Sequence, residues 1–387
     1  MSRWRARLGL VVLALSLTAC GSSEPSESES QPFVAPSPDT APDDAIETFL
    51  SQGNLPAVLV GVIDGGETLY ARVGGVRKRG DPTPATDDDV FRIGSNTKGM
   101  TALIAGTVVD AGQLTWDSTV GNVLSSTVNV GDAYRDVTLT QLLDHSSGMP
   151  ELPASDEASF SGSTQPIEDD RHRIAELALA LPPRSPPGMY FYYSNVNYVV
   201  AAVMLEVATG QSWEDLIISR VFMPLGMTHA GFGTPATPGT IDAPWGHNPA
   251  PVDPASPIGD IPEGFGPAGT VHANLADLLA YARLYLDDGL DPQGSQLVSR
   301  AALGEIETSR VHHYGFGWFD IDDANGQLVM WHNGSNGTFY STLVLFPARR
   351  GAIILATNAG DDASWTRLAD LDTYLAAHFG LPLERPQ

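Results

Sequence analysis

Ser95-Asn96-Thr97-Lys98 opens an apolar run in which Met100, Leu103, Ile104 and Val108 recur at helical spacing. A serine and a lysine three residues apart at the start of a helix lie one turn apart on the same face, with the hydroxyl near the positive helix end. Lysine is scarce in this chain. Of 21 basic residues 19 are arginine, and the only lysines are Lys78 and Lys98. Arginine does not release its proton in a protein, whereas a desolvated lysine can fall in pKa far enough to act as a base. Ser95 therefore reads as a nucleophile and Lys98 as the group that helps take its proton, in an S-x-x-K pattern. Lys78 sits in an Arg-rich polar turn with no serine at the matching offset and serves as the control.

Outward from this tetrapeptide, two further clusters follow in order. Tyr193-Ser194-Asn195 comes after Pro186-Pro187-Gly188 and just before an apolar helix. A Tyr193 hydroxyl can relay a proton between nucleophile and leaving group, and an Asn195 amide can hold both a substrate carbonyl and the lysine. His332-Asn333-Gly334-Ser335 follows an apolar strand ending at Trp331. Here Gly334 would let substrate lie close to the strand, and the Ser335 and Ser95 backbone N–H groups would form an oxyanion hole.

The surrounding pattern predicts a helix near 43–52, then strands at 57–63 and 68–73 joined by Asp64-Gly65-Gly66. Helical periods dominate from 95 to about 290, with stretches at 100–109, 174–181, 197–207 and 275–286. Strand character returns at 314–321, 328–331, 340–346 and 352–356, before a closing helix over 363–378. This order implies an α/β (α+β) fold: one antiparallel sheet built from both chain ends, flanked by helices, with a helical lobe inserted.

With these motifs in place, the chain resembles the serine β-lactamase and DD-peptidase superfamily, in the branch of class C β-lactamases, DD-carboxypeptidases and related esterases. The resemblance covers roughly residues 57–375. It also includes Leu142-Leu143-Asp144-His145-Ser146-Ser147-Gly148-Met149-Pro150, Pro224-Leu225-Gly226-Met227, Pro267-Ala268-Gly269 with Asp277, and Ala356-Thr357-Asn358-Ala359-Gly360. It implies that Ser95 is acylated, that Lys98 and Tyr193 share proton transfer, and that Asn195, His332, Gly334 and Ser335 bind substrate. His332 stands where many members carry the lysine of K-T-G. A lysine there is a fixed cation for a substrate carboxylate, while a histidine is only partly charged near neutral pH. The resemblance places a DD-carboxypeptidase or D-amino-acid peptidase first, an esterase second and a weak class C-like β-lactamase third. The alternative outside enzymes is a catalytically silent peptidoglycan-binding protein, whose signature would be loss of Ser, Lys or Tyr. No cofactor or metal is expected. G-x-S-x-G is absent, against an α/β-hydrolase, and so is H-E-x-x-H, against a zinc hydrolase. His312 and His313 are adjacent and in extended chain would face opposite ways, and His145 reads as structural.

At the N-terminus, Arg3, Arg5 and Arg7 precede a short apolar run ending in Leu17-Thr18-Ala19-Cys20. The run is too short to span a bilayer, so residues 1–19 read as a secretory signal. The last four residues fit a bacterial lipobox with Cys20, the only cysteine, as the lipidated residue. Residues 20–42, rich in Ser, Glu and Pro, read as a disordered tether, and 43–387 as one hydrolase domain. The expected location is the bacterial cell envelope, with the membrane as partner through the lipid. Acidic residues number 46 against 21 basic, a net charge of −25. A surface of that sign repels nucleic acid and anionic lipid, so neither is an expected partner. The resemblance implies a small-molecule or peptide substrate: a D-amino-acid peptide, an ester or a β-lactam.

Overall fold

The chain reverses between Asp64 and Glu67, where Gly65 and Gly66 take φ values of +61° and +84°. Both lie in the left-handed region that a two-residue hairpin requires and that glycine enters freely. The computed structural model, which describes residues 33–256, 261–323 and 325–383, joins β1 (Ala57–Asp64) to β2 (Glu67–Gly75) at this turn. Ala35–Gln387 form one unit, to which all of the following applies. The signal segment and Cys20 lie outside the described residues.

Strands β3 (Phe91–Arg92), β4 (Gly231–Phe232) and β5 (Val271–Ala273) make a small sheet in the order β3-β5-β4. The main sheet adds β6 (Phe319–Asp322), β7 (Leu328–Ser335), β8 (Tyr340–Phe346) and β9 (Gly351–Thr357), in the order β2-β1-β9-β8-β7-β6. Every neighbouring pair is antiparallel. Thus the N-terminal hairpin sits directly beside the C-terminal strands. Successive residues of β1 and β9 are buried, which requires cover on both faces and explains why these strands read as continuous apolar runs.

The principal helices are α1 (Pro42–Ser51), α2 (Thr97–Asp110), α3 (Ile167–Ala180), α4 (Asn195–Thr209), α5 (Leu275–Leu286), α6 (Arg300–Glu307) and α7 (Asp362–Phe379). α5 and α7 pack on the sheet, while α2, α3 and α4 form the inserted lobe. Gly61 of β1 lets α5 approach, since a Cβ there would fall 3.0 Å from Leu275 Cδ1 and 3.2 Å from Leu279 Cδ2.

Several local expectations change. α2 is not a one-sided amphipathic helix: Thr97, Lys98, Gly99, Thr101, Ala102, Ala105 and Gly106 are buried along with the apolar stripe. It is the central helix of the lobe, covered on nearly every side. The strand expected at 314–321 begins only at Phe319, because Gly317 takes φ +80° inside that span, and His312 and His313 just before it take φ +51° and +58° and turn the chain. These histidines are therefore not in extended chain. β7 runs on past Trp331, so His332 to Ser335 belong to the strand rather than follow it. Finally, the folded unit begins before the expected end of the tether: Pro38 O accepts from His378 Nδ1 at 2.7 Å and Thr40 O from the Tyr374 hydroxyl at 2.7 Å.

Candidate active site

Ser95 sits on a single 3-10 turn, Gly94–Asn96, between β3 and α2. Gly94 has φ +49°, and a Cβ there would fall 2.4 Å from Ser335 N, so glycine is required by both conformation and space. Asn96 Nδ2 donates to Ser341 Oγ at 2.7 Å, and Ser341 Oγ donates to Ile93 O at 2.8 Å. These bonds lash the serine turn to β8. Three residues on, Lys98 is fully buried. Its Nζ donates to Ser95 Oγ at 3.1 Å, Asn195 Oδ1 at 2.8 Å and Ala268 O at 2.9 Å. The last acceptor accounts for Pro267-Ala268-Gly269 as a motif. Burial lowers the Lys98 pKa to about 7, partly opposed by the negative charge of Glu151. Near neutral pH the amine therefore exists in both protonation states, as a base for the adjacent hydroxyl must.

The second cluster reaches the serine from α4. Tyr192 N donates to His145 O at 2.9 Å and Ser194 N to His145 Nδ1 at 3.3 Å. Asn197 Nδ2 lies 3.1 Å from the same Nδ1, and Ser147 Oγ donates to Asn197 Oδ1 at 2.6 Å. The His-Ser-Ser-Gly segment is thus the clamp that holds Tyr193 and Asn195, with His145 itself at φ +62°. Burial and the charge of Lys98 keep the His145 pKa well below the ordinary value, so its ring is neutral. Tyr193 lies with its ring 4.7 Å from Lys98 Nζ, and its hydroxyl is near enough to Ser95 to interact with it. Tyr193 as a whole is 36% exposed. Enclosure at the hydroxyl pushes its pKa up, Ser95 opposing, so the phenol is protonated at neutral pH.

The third cluster is set differently from expectation. Met330, His332 and Gly334 share one face of β7. A Cβ on Gly334 would fall 1.8 Å from Ile93 O, so the space that glycine frees is filled by the backbone leading to Ser95, not by substrate. His332 is 3% exposed. Its Nδ1 lies 2.6 Å from Asn333 O, and a carbonyl can only accept, so Nδ1 carries the proton and Nε2 is left to accept from the Tyr314 hydroxyl at 3.3 Å. Burial, reinforced by the Lys98 charge, depresses its pKa to about 3. The partly charged histidine expected at this position is therefore a neutral ring with both nitrogens engaged in the protein.

Residues 42–377 match the family model described as Beta-lactamase. The chain belongs to the β-lactamase family. It is 31% identical over 331 residues to Penicillin-binding protein 4 of Amycolatopsis lactamdurans, spanning 82% of this chain and 84% of that relative. Among solved structures, the octameric penicillin-binding protein homologue from Pyrococcus abyssi aligns with a TM-score of 0.70 at 23% identity, over 88% of this chain and 78% of that one. The D-stereospecific amidohydrolase from Streptomyces sp. aligns with a TM-score of 0.66 at 23% identity, over 87% and 97%. At these identities the solved structures share its fold. The chain is a serine hydrolase of the β-lactamase fold.

This β-lactamase-family site includes one residue that the sequence did not single out. Glu151 Oε1 accepts from Asn195 N at 2.5 Å. It stands directly after Met149-Pro150, but nothing in its spacing ties it to a helix start 44 residues away. Other motif residues are architectural. Asn358 Oδ1 accepts from Ala57 N at 2.8 Å, and Asp277 Oδ2 accepts from His229 N at 3.2 Å. Among the described residues, no group of three or more His, Cys, Asp or Glu is placed to hold a metal ion.

Proposed function

We propose that this chain hydrolyses amide or ester bonds flanked by uncharged groups through an acyl-enzyme on Ser95, with D-amino-acid peptides and amides as the first class to test. The observation that carries the reading is the fully buried Lys98 amine, 3.1 Å from Ser95 Oγ and poised to titrate near neutral pH. In the acylation step, the free amine takes the Ser95 proton as Oγ attacks the carbonyl carbon. The Ser95 and Ser335 amides receive the oxyanion, a pairing supported by the close approach of Ser335 N to the Gly94 turn. Tyr193, still protonated, passes a proton to the departing amine or alcohol, and Lys98 reprotonates it. In deacylation a water oxygen bonds to the acyl carbon as its proton passes to Lys98, the bond from that carbon to Ser95 Oγ breaks, and Oγ takes a proton back through Tyr193 as the free acid leaves.

A neutral His332 favours uncharged groups beside the scissile bond over a terminal carboxylate, which lowers the DD-carboxypeptidase and β-lactamase readings relative to an amidase, peptidase or esterase. We further propose that the protein is exported to the envelope and anchored through a lipid on Cys20, on the strength of the lipobox alone. Intact and peptide mass spectrometry after exposure to a fluorophosphonate, a fluorescent penicillin, a D-Ala-D-Ala peptide and its C-terminal amide tests the chemistry. The expected result is label on Ser95, lost in Ser95→Ala, with the amide cleaved at least as well as the free acid. Label on Ser146 or Ser335, or a strict requirement for the free carboxylate, sinks the proposal. Fractionation of cells expressing Cys20→Ser should move the protein from membrane to soluble fractions; no change removes the anchor.

A further inference from the structure

The first turn of α4 has an unusual cap. A helix leaves its first backbone N–H groups without intrahelical partners, and a Ser at the N-cap commonly satisfies one of them. Ser194 occupies that position here yet makes no side-chain cap, and its buried Oγ has no hydrogen-bond partner. The acceptor is instead the Glu151 carboxylate, whose Oε1 takes the Asn195 N–H at 2.5 Å from the segment that follows the His-Ser-Ser-Gly turn. The same Asn195 accepts from Lys98 Nζ at 2.8 Å, and Lys98 Nζ donates onward to Ser95 Oγ at 3.1 Å. One line of contacts thus runs from the Glu151 carboxylate through the start of α4 to the nucleophile.

Resting on the acyl-enzyme reading above, we propose that Glu151 is a positioning residue for proton transfer: its carboxylate seats Asn195 against Lys98, and its charge acts on the Lys98 amine across the site. A neutral cap would do the first task. Only a charged group does the second.

The groups around both partners bear this out. Lys98 is faced by Ser95, Asn195 and Ala268 O as hydrogen-bond partners, by the Tyr193 ring at 4.7 Å and by the Tyr198 ring at 5.6 Å. His145 and His332 also feel its charge, and both are held neutral. Among these neighbours Glu151 is the one that opposes desolvation and holds the amine's proton on. Glu151 in turn is faced by Lys98, Glu157 and the backbone amides of Asn195 and Val196. Glu151 as a residue is exposed. Enclosure of its carboxyl end raises its pKa, with the amides and Lys98 pulling the other way and Glu157 adding to the rise.

The scarcity of lysine makes the test direct. In protein labelled with 13C-lysine only Lys78 and Lys98 give side-chain signals, and Lys78→Arg assigns them. The Lys98 titration midpoint is read in the wild type, Glu151→Gln and Glu151→Asp. In parallel, kcat/KM for p-nitrophenyl acetate is followed from pH 5 to 9, with thermal melts to show folding. Gln keeps an acceptor for the α4 amides but removes the charge, so the Lys98 midpoint and the acid limb of kcat/KM should both move down by about one pH unit. Asp keeps the charge but shortens the reach, so its midpoint should stay near that of the wild type while kcat falls roughly tenfold. A Gln variant that folds and titrates Lys98 as the wild type does overturns the proposal and leaves Glu151 a helix cap. A shifted Lys98 midpoint with no Ser95 labelling in the wild type overturns the acyl-enzyme reading instead, because the titration needs no substrate.

Discussion

A single proton separates the roles of Lys98 and any arginine put in its place. Lys98 is buried, bonded to three oxygens and shifted from 10.5 to about 7 by that burial. Because the folded value is depressed, the free amine appears as pH rises through 7, and activity should climb along that limb. Arg preserves the charge and some hydrogen bonds but never releases its proton. Lys98→Arg should therefore lose roughly 10³-fold in kcat/KM, about 4 kcal/mol, much as Lys98→Ala does. Lys78 lies 3.5 Å over the Trp245 ring, a contact a guanidinium also makes, so Lys78→Arg should be silent. Steady-state kinetics of the three variants decides it, and near-native turnover in Lys98→Arg would make the lysine an electrostatic group and not a base. At this scale the Ser95, Lys98 and Tyr193 pattern was legible because the motif's short spacings bring it out. Glu151 and the neutrality of His332 were not, since both depend on neighbours distant in sequence.

Element packing around the nucleophile rests on two glycines that look ordinary in sequence. Gly94 and Gly334 let the serine turn and β7 approach until backbone meets backbone, with Cβ positions 2.4 Å from Ser335 N and 1.8 Å from Ile93 O. Neither obstacle is the end of a flexible side chain, so the strand must move away. Gly334→Ala and Gly94→Ala should each lose at least about 2 kcal/mol of stability and nearly all activity. Gly304 in α6 has nothing within 4 Å of its Cβ position, and Gly304→Ala should gain about 0.5–1 kcal/mol through helix propensity. Denaturant unfolding of all three distinguishes these outcomes; an active, stable Gly334→Ala would show that β7 does not hold the serine turn. The elements themselves were legible where local signals agreed, as in the Asp64-Gly65-Gly66 hairpin. They were misjudged where left-handed residues intervened, as at Gly317 and at His312 and His313 before β6.

Across the whole molecule, the last strand is tied to the loops beyond the first hairpin by one buried histidine. His247 Nδ1 lies 2.6 Å from Asn358 O and its Nε2 accepts from Arg79 N at 2.9 Å, so the ring is neutral with one proton on Nδ1. Burial lowers its pKa from 6.5 to about 4. Below pH 4 both folded and unfolded states are protonated and the full penalty is present; above 6.5 neither is, and it vanishes. Stability should therefore fall as pH drops from 6.5 to 4, by at most about 3.4 kcal/mol from this residue. His247→Gln should lower stability at pH 7 yet flatten that slope, as measured by urea unfolding at a series of pH values. An unchanged slope would mean that His247 already titrates normally in the folded state.

Sequence alone determined the class of this protein, because its decisive signals are local: an S-x-x-K at a helix start, a Y-x-N before another, an H-x-G at a strand, and apolar strands at both ends. Those signals follow from hydrophobic period and from the reach of a side chain over one helical turn. Tertiary structure decided what those residues are in chemical terms. Desolvation by residues far apart in the chain brings Lys98 to about 7 and holds His332 neutral at about 3, and the fold delivers Glu151 to the start of α4. Charge states depend on what surrounds a group in space, and a sequence states only what precedes and follows it.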